Sequence, residues 1–230
     1  MKYKWLLFDA DGTLFDYDNA EVTALKTTFE NSGAYFSDLY HQRYRQINVG
    51  LFKDLEKGLI SSVELRTKRF ELLFSEFDID VDVKEFSKFY LKNLSENSML
   101  ISGALETIRH LYPEHKMLLV TNGIADVQRS RFDNSAIKKY FEDIIISDEV
   151  GFAKPATEFF DTAFTSMGQP AKEDVMIIGD SLTSDMTGGV KYQIDTCWYN
   201  PSKVQNENNL NITYEIIELQ ELLKITDDAH

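Results

Sequence analysis

The sequence predicts an α/β fold: a parallel sheet with helices on both faces, interrupted after its first strand by an all-helical insert. Three observations carry this expectation. Short apolar runs of strand length recur at long intervals, as buried parallel strands do. From Lys116 onward these runs alternate with helix-like segments, the pattern of strand–helix–strand units. Residues 16–97 hold no strand-like run and repeat their apolar residues at helical spacing.

The first strand is expected at Lys4–Phe8 (KWLLF). The insert follows as amphipathic helices, among them Glu21–Gly33 (EVTALKTTFENSG) and Ser61–Phe77 (SSVELRTKRFELLFSEF). Gly58 supplies a stop between two of them and Ser61–Ser62 a cap. Further strands are expected at Lys116–Val120 (KMLLV), Asp143–Ile146 (DIII), Val175–Ile178 (VMII) and Thr196–Tyr199 (TCWY). Right-handed crossovers would then fix the winding. The expected domains are 1–15 with 98–230 as the sheet core, and 16–97 as the helical insert. A chain of 230 residues is long enough for both.

Composition narrows the function. Apolar residues make up 43%, ordinary for a globular protein, and no apolar run approaches the roughly 20 residues of a membrane span. The opening MKYKWLLFDADGTLF is basic and then apolar, but Asp9 and Asp11 interrupt it at once, so a buried first strand is expected rather than a secretory leader. The lone Cys197 allows no internal disulfide, which agrees with the reducing cytoplasm, and it excludes zinc sites built on several cysteines. A formal net charge of -14 opposes nucleic-acid binding. A small anionic substrate is compatible with it if a metal ion and a local lysine reverse the field in the site.

Four polar phrases fall at the C-terminal ends of expected strands, the edge where open α/β sheets bind ligands. Asp9-Ala10-Asp11-Gly12-Thr13-Leu14 follows WLLF and puts a pair of carboxylates at a strand end. Thr121-Asn122-Gly123 follows KMLLV and offers a hydroxyl for a phosphoryl oxygen, although Thr and Asn also fill ordinary caps and turns. Lys154-Pro155 lies within GFAKPATEFF, where a lysine could reach the site as a point charge or remain a solvated surface group. Gly179-Asp180-Ser181-Leu182-Thr183-Ser184-Asp185 follows VMII, with two carboxylates around a turn or an acidic helix start. Each phrase alone has an ordinary structural reading. Their common order, spacing and strand-end placement favour one site.

Together the four phrases resemble the four motifs of the haloacid dehalogenase superfamily. The resemblance runs the length of the chain and includes a helical segment inserted after the first motif. It implies a Rossmann-like parallel sheet core with an inserted all-helical cap domain. It implies that Asp9 attacks phosphorus, that Asp11 is the general acid/base, and that Thr121, Asn122 and Lys154 hold the phosphoryl group. Mg²⁺ would be held by Asp9, Asp180, Asp185 and the backbone carbonyl of Asp11. The segment YRQINVGLFKDLEKGLISSVELRTKRF and the later GDSLTSDMTGGVKYQIDTCWYNP are similar to the bacterial pyrimidine 5'-nucleotidase subgroup. Tyr192-Gln193 departs from that pattern, where Ala-Gly is expected, and bears on local packing more than on chemistry.

The implied reaction is hydrolysis of a phosphomonoester through an aspartyl-phosphate, with a small phosphorylated metabolite as partner, a nucleoside monophosphate above all. The cap would read the leaving group through Asn48, Phe52, Lys53 and Arg69. Each also has an ordinary reading, Phe52 as core and Lys53 and Arg69 as solvated helix charges. A sugar-phosphate phosphatase or a phosphomutase of the same superfamily would use the same core motifs. A dehalogenase is disfavoured because that chemistry lacks the acid/base aspartate. A receiver-type phosphorylation domain is disfavoured as well. Its aspartate follows a later strand, and no helical insert interrupts its fold.

Overall fold

The computed structural model describes residues 2–207 and 209–227. The chain divides into two compact units, Met1–Asp16 with Ser98–His230, and Tyr17–Asn97.

The first unit opens with β1 (Trp5–Phe8), buried along its whole length. The chain then leaves for the helical unit, built from α1 (Tyr17–Asn31), α2 (Asp38–Glu56), α3 (Ser62–Phe77) and α4 (Val83–Ser95). On its return it forms α5 (Ala104–Leu111), β2 (Lys116–Thr121), α6 (Ala125–Asp133), β3 (Asp143–Ile146), α7 (Ser147–Val150) and α8 (Thr157–Ser166). β4 (Val175–Gly179), a π-helical turn at Leu182–Met186, α9 (Thr187–Tyr192), β5 (Asp195–Tyr199), β6 (Tyr214–Ile216) and α10 (Glu221–Asp227) complete it.

The described strands form one parallel sheet in the order β3-β2-β1-β4-β5-β6. Alternation along the strands sorts side chains to two apolar layers. Leu6, Phe8, Met117, Leu119, Met176 and Ile178 pack on one face, with Ile108 and Leu111 of α5 and Leu222 of α10. Trp5, Leu7, Leu118, Val120, Val175 and Ile177 pack on the other, with Phe159, Phe160 and Phe164 of α8. Strands buried on both faces read as continuous apolar runs, which is why they stand out in the sequence. The chain moves outward from β1 to β2 and β3, then returns to place β4 on the other side of β1. That reversal opens a crevice beyond the C-terminal ends of β1 and β4.

The helical unit closes around aromatic rings. Phe29 of α1, Phe70 and Phe74 of α3 and Phe86 of α4 meet edge to face, and Tyr44 of α2 stacks on Phe70 at 5.5 Å. α3 starts with a capping box: the Ser61 hydroxyl accepts from Glu64 N, and Glu64 accepts from Ser61 N. Gly58, beyond the end of α2, takes the left-handed conformation at φ +69. α1 begins at Tyr17, ahead of the expected Glu21, and ends at Asn31 with the left-handed Gly33 just past it.

β6 is absent from the sequence expectation. Three residues with one buried side chain make too weak a period to register. The Tyr192-Gln193 departure is accommodated by packing. Tyr192 stacks on Phe160 at 5.3 Å, lies 4.9 Å from Phe164, and donates its hydroxyl to Asp161 Oδ1 at 2.8 Å. Gln193 ends α9 in the left-handed region at φ 63, where glycine would be unstrained.

Candidate active site

Asp9 follows β1, and its backbone N–H donates to Ile178 O of β4 at 2.9 Å, which seats it at the crevice. The loop behind it is tightly closed: Leu14 N and Phe15 N both donate to Ala10 O, and Gly12 N donates to Phe15 O. Gly12 has φ +80, and a Cβ there would lie 2.6 Å from Asp180 Oδ2. The Asp-Gly step therefore does more than turn the chain. It lets the β1 and β4 loops approach each other.

Lys154 corrects the solvated-lysine reading. It is 1% exposed, and its Nζ donates to Asp9 Oδ1 at 2.6 Å, Asp185 Oδ1 at 2.7 Å and Val120 O at 2.7 Å. An ammonium has three N–H groups, and this site gives each an acceptor. Asn122 brackets the Lys154 backbone, accepting from its N–H and donating to its carbonyl, each at 2.8 Å. Both ends of the amide expected to bind substrate are thus engaged with the lysine's main chain. Thr121 is buried at the end of β2, and its hydroxyl accepts from Gly123 N at 3.1 Å, the turn-forming bond that the ordinary reading foresaw.

Beyond β4, the Trp198 indole donates to Asp180 O at 2.9 Å and ties the loop to β5. Asp185 is fully buried, and Ser181 N donates to its second oxygen at 3.1 Å. Asp9, Asp180 and Asp185 each bring a carboxylate oxygen to within 4.8 Å of the others. Burial pushes the Asp9 carboxyl well above its ordinary range, Lys154 opposes that, and the Asp185 and Asp180 charges add to it. Asp180 keeps an exposed edge, yet it too is pushed up, first by the desolvation around it and then by the Asp185 charge. Burial would lower the Lys154 ammonium, but Asp185 and Asp9 outweigh it and hold it above its ordinary value.

Three carboxylates against one ammonium leave an excess of negative charge in a desolvated site. All donors are oxygens, which suits a hard divalent cation such as Mg²⁺ and not a soft one. The geometry offers a buried carboxylate, an ammonium beside it and an acidic set of a size that could hold a cation. That combination serves attack on an anionic centre.

Asp11 is engaged from α6, in a way the sequence reading missed. Gln128 Nε2 donates to its Oδ2 at 2.5 Å, and Arg131 Nη1 pairs with its Oδ1. The signal was present as a helix-face pair, Gln128 and Arg131, shortly after the Thr121 phrase.

Asn48, Phe52 and Arg69 lie in the helical unit. Arg69 is 1% exposed, which overturns its reading as a solvated charge. Its guanidinium donates to Asn48 Oδ1 at 3.3 Å and sits 4.9 Å from the Tyr90 ring centroid. The buried Glu21 of α1 completes this polar layer, accepting from Asn48 Nδ2 at 3.4 Å. Phe52 is half-buried rather than core, and Lys53 is exposed.

Known proteins resemble this chain in sequence and in fold. The haloacid dehalogenase-like hydrolase family matches residues 6–199. The HAD-hydrolase YfnB of Bacillus subtilis is 36% identical, covering 97% of this chain and 95% of its own. Its crystal structure with bound magnesium superimposes with a TM-score of 0.91 over 98% of this chain and 99% of that one. The pyrimidine 5'-nucleotidase PynA of Streptococcus pneumoniae is 36% identical over 99% of this chain and 96% of its own length. The pyrimidine 5'-nucleotidase YjjG of Escherichia coli is 30% identical over 96% and 97%. With the family match spanning most of its length and relatives at this identity end to end, the chain belongs to the haloacid dehalogenase-like hydrolases.

Proposed function

We propose that the chain is a Mg²⁺-requiring phosphomonoester hydrolase that acts on pyrimidine nucleoside 5'-monophosphates through an aspartyl-phosphate. The observation that carries the chemistry is the buried Asp9–Lys154–Asp185 cluster at the β1–β4 crevice. The substrate class follows from the two nucleotidase relatives, which the chain matches over nearly its whole length.

Asp9 attacks phosphorus and forms the acyl-phosphate, dividing one displacement into two. Lys154 neutralises charge on Asp9 and on the incoming phosphoryl group, and Thr121 takes a phosphoryl oxygen. Asn122 positions Lys154 through its backbone. Asp11 gives its proton to the departing alkoxide and takes one from the attacking water. Asp9, Asp180, Asp185 and the Asp11 carbonyl would hold Mg²⁺, Asp185 directly or through water. The ion supplies the neutralisation that lets a carboxylate approach a phosphate dianion.

Recognition of the leaving group belongs to the helical unit, which serves as the cap. Among the described residues Arg69 keeps Nε–H and Nη2–H without an acceptor and offers them to a base edge, Asn48 holds Arg69 in place, and the half-buried Phe52 gives a flat surface. The buried Cys197, without another cysteine to pair with, suits a reducing compartment, and we place the enzyme in the cytoplasm. No helix among the described residues is long and apolar enough to cross a membrane.

The test compares kcat/KM for UMP and dUMP with glucose 6-phosphate and 2-phosphoglycolate, with and without Mg²⁺. Faster turnover of the pyrimidine nucleotides is expected, with loss of all activity in chelator. Turnover of a non-nucleotide faster than every nucleotide overturns the substrate assignment. Full activity after metal stripping overturns the metal assignment.

A further inference from the structure

We propose that Gln128 and Arg131 are positioning residues that aim the Asp11 carboxyl group, which carries the proton, at the leaving oxygen. The proposal rests on the reading of Asp11 as the acid/base.

Both oxygens of Asp11 are held from one helix. Gln128 Nε2 reaches Oδ2 at 2.5 Å, while Arg131 Nη1 pairs with Oδ1. Spacing of i, i+3 puts the two side chains on one face of α6. A carboxylate presents about four lone-pair sites. The clamp uses one on each oxygen, so the carboxyl plane is fixed while a further lone pair on each oxygen remains to carry the proton that passes to the leaving group.

The clamp is itself braced. Arg131 is fully buried, with its guanidinium 4.7 Å from the Phe15 ring centroid. Phe15 belongs to the loop that carries Asp11 and is tied to it by Gly12 N–H donating to Phe15 O at 3.1 Å. Arg131 therefore grips Asp11 and the far end of its loop together. Gln128 is 2% exposed and crosses the strand-end turn at Gly123. A Cβ on Gly123 would overlap the Gln128 amide. The glycine of the Thr121-Asn122-Gly123 phrase thus has a reason beyond the turn: it clears the path of Gln128 to Asp11. A buried arginine could exist only to satisfy a structural charge. That role does not account for a second donor, from a second residue, on the other oxygen of the same carboxylate.

Leaving-group dependence separates aiming from mere structure. A nucleoside alkoxide needs a proton as it departs, whereas p-nitrophenolate leaves well without one. The ratio kcat/KM reports steps up to the first irreversible one, the loss of the leaving group, and is blind to the later water step. Gln128→Leu keeps the volume and removes the donor. It is expected to lower kcat/KM for UMP by roughly tenfold or more, the low end of general-acid contributions. The value for p-nitrophenyl phosphate should fall far less. Gly123→Ala should act in the same direction by displacing Gln128. Arg131→Lys, which keeps a buried charge, should retain more of the UMP rate than Arg131→Met. Equal losses on both substrates, or none on either, in Gln128→Leu and Gly123→Ala would overturn the positioning role while leaving the phosphohydrolase reading intact. A wild-type chain that hydrolyses neither substrate would overturn that reading and this inference with it.

Discussion

Lys154 donates to a pair of carboxylates and a backbone carbonyl from a position with almost no solvent. Removing such a group leaves its partners desolvated and unpaired, which for buried pairs costs about 3–5 kcal/mol. Lys154→Met is therefore expected to lose turnover and to lower the denaturation midpoint. Asp9→Asn removes the nucleophile but leaves Lys154 paired with Asp185. It should abolish phosphate release while keeping a near-native unfolding transition, and turnover retained at near-native rate would dismiss the covalent route. At this scale the sequence showed which residues converge but not how they are bonded. Asp9, Asp180 and Asp185 were legible because fixed phrases follow β1 and β4, whereas Lys154 lies in the loop beyond α7 rather than at the end of β3 and was legible only as part of the set of phrases. The role of Asn122 was not, because an amide beside a lysine in space is far from it in sequence. Gln128 and Arg131 were missed for a related reason: their partner Asp11 lies on a different element.

Single elements carry two further expectations. Gln193 ends α9 with φ 63, a conformation that strains a residue with a Cβ by about 1–2 kcal/mol. Gln193→Gly relieves this, partly offset by about 0.5–1 kcal/mol for the greater backbone freedom that glycine loses on folding. A net gain of about 0.5–1 kcal/mol should raise Tm by a few degrees in calorimetry, and an unchanged or lower Tm would refute the strain argument. In the helical unit, burial pushes the Glu21 carboxyl on α1 up to about 7, with Arg45 opposing. A carboxyl whose folded value is raised makes the folded state bind the extra proton. Stability is then full below the ordinary value near 4.5 and declines as pH rises through about 7. The window is worth about 3 kcal/mol at 1.36 kcal/mol per pH unit. Glu21→Gln should flatten that decline in denaturant titrations between pH 4.5 and 7.5, and an identical slope in both proteins would place the ionisation elsewhere. The helices themselves were legible from period and caps. This buried polar layer was not, because helical spacing reports which side faces inward but not that charged groups sit there. β6 was lost for want of length.

Across the whole molecule the net charge is -14, and part of that excess is concentrated at one strand edge, where Asp9, Asp180 and Asp185 converge. The parallel order with β1 at the centre made this convergence unavoidable once the phrases lay at strand ends, so fold and site were read from the same observations. Two kinds of cation effect should therefore act on stability. Any salt screens the general self-repulsion of an acidic chain, over a Debye length of about 10 Å at 0.1 M. A divalent ion bound in the acidic set adds a specific term, RT ln(1 + [L]/Kd), about 2.7 kcal/mol when the ion is at about a hundred times its Kd. Mg²⁺ is thus expected to raise Tm beyond NaCl at equal ionic strength, with an increment that grows logarithmically with concentration. Asp180→Ala removes an acceptor from the set and should abolish the specific increment while leaving the salt response. Lys154→Met removes a competing positive charge and should preserve the increment, or enlarge it, despite the lower starting Tm. Equal responses to Mg²⁺ and NaCl in the wild-type chain would leave the acidic set without a specific cation and remove the metal from the proposed chemistry.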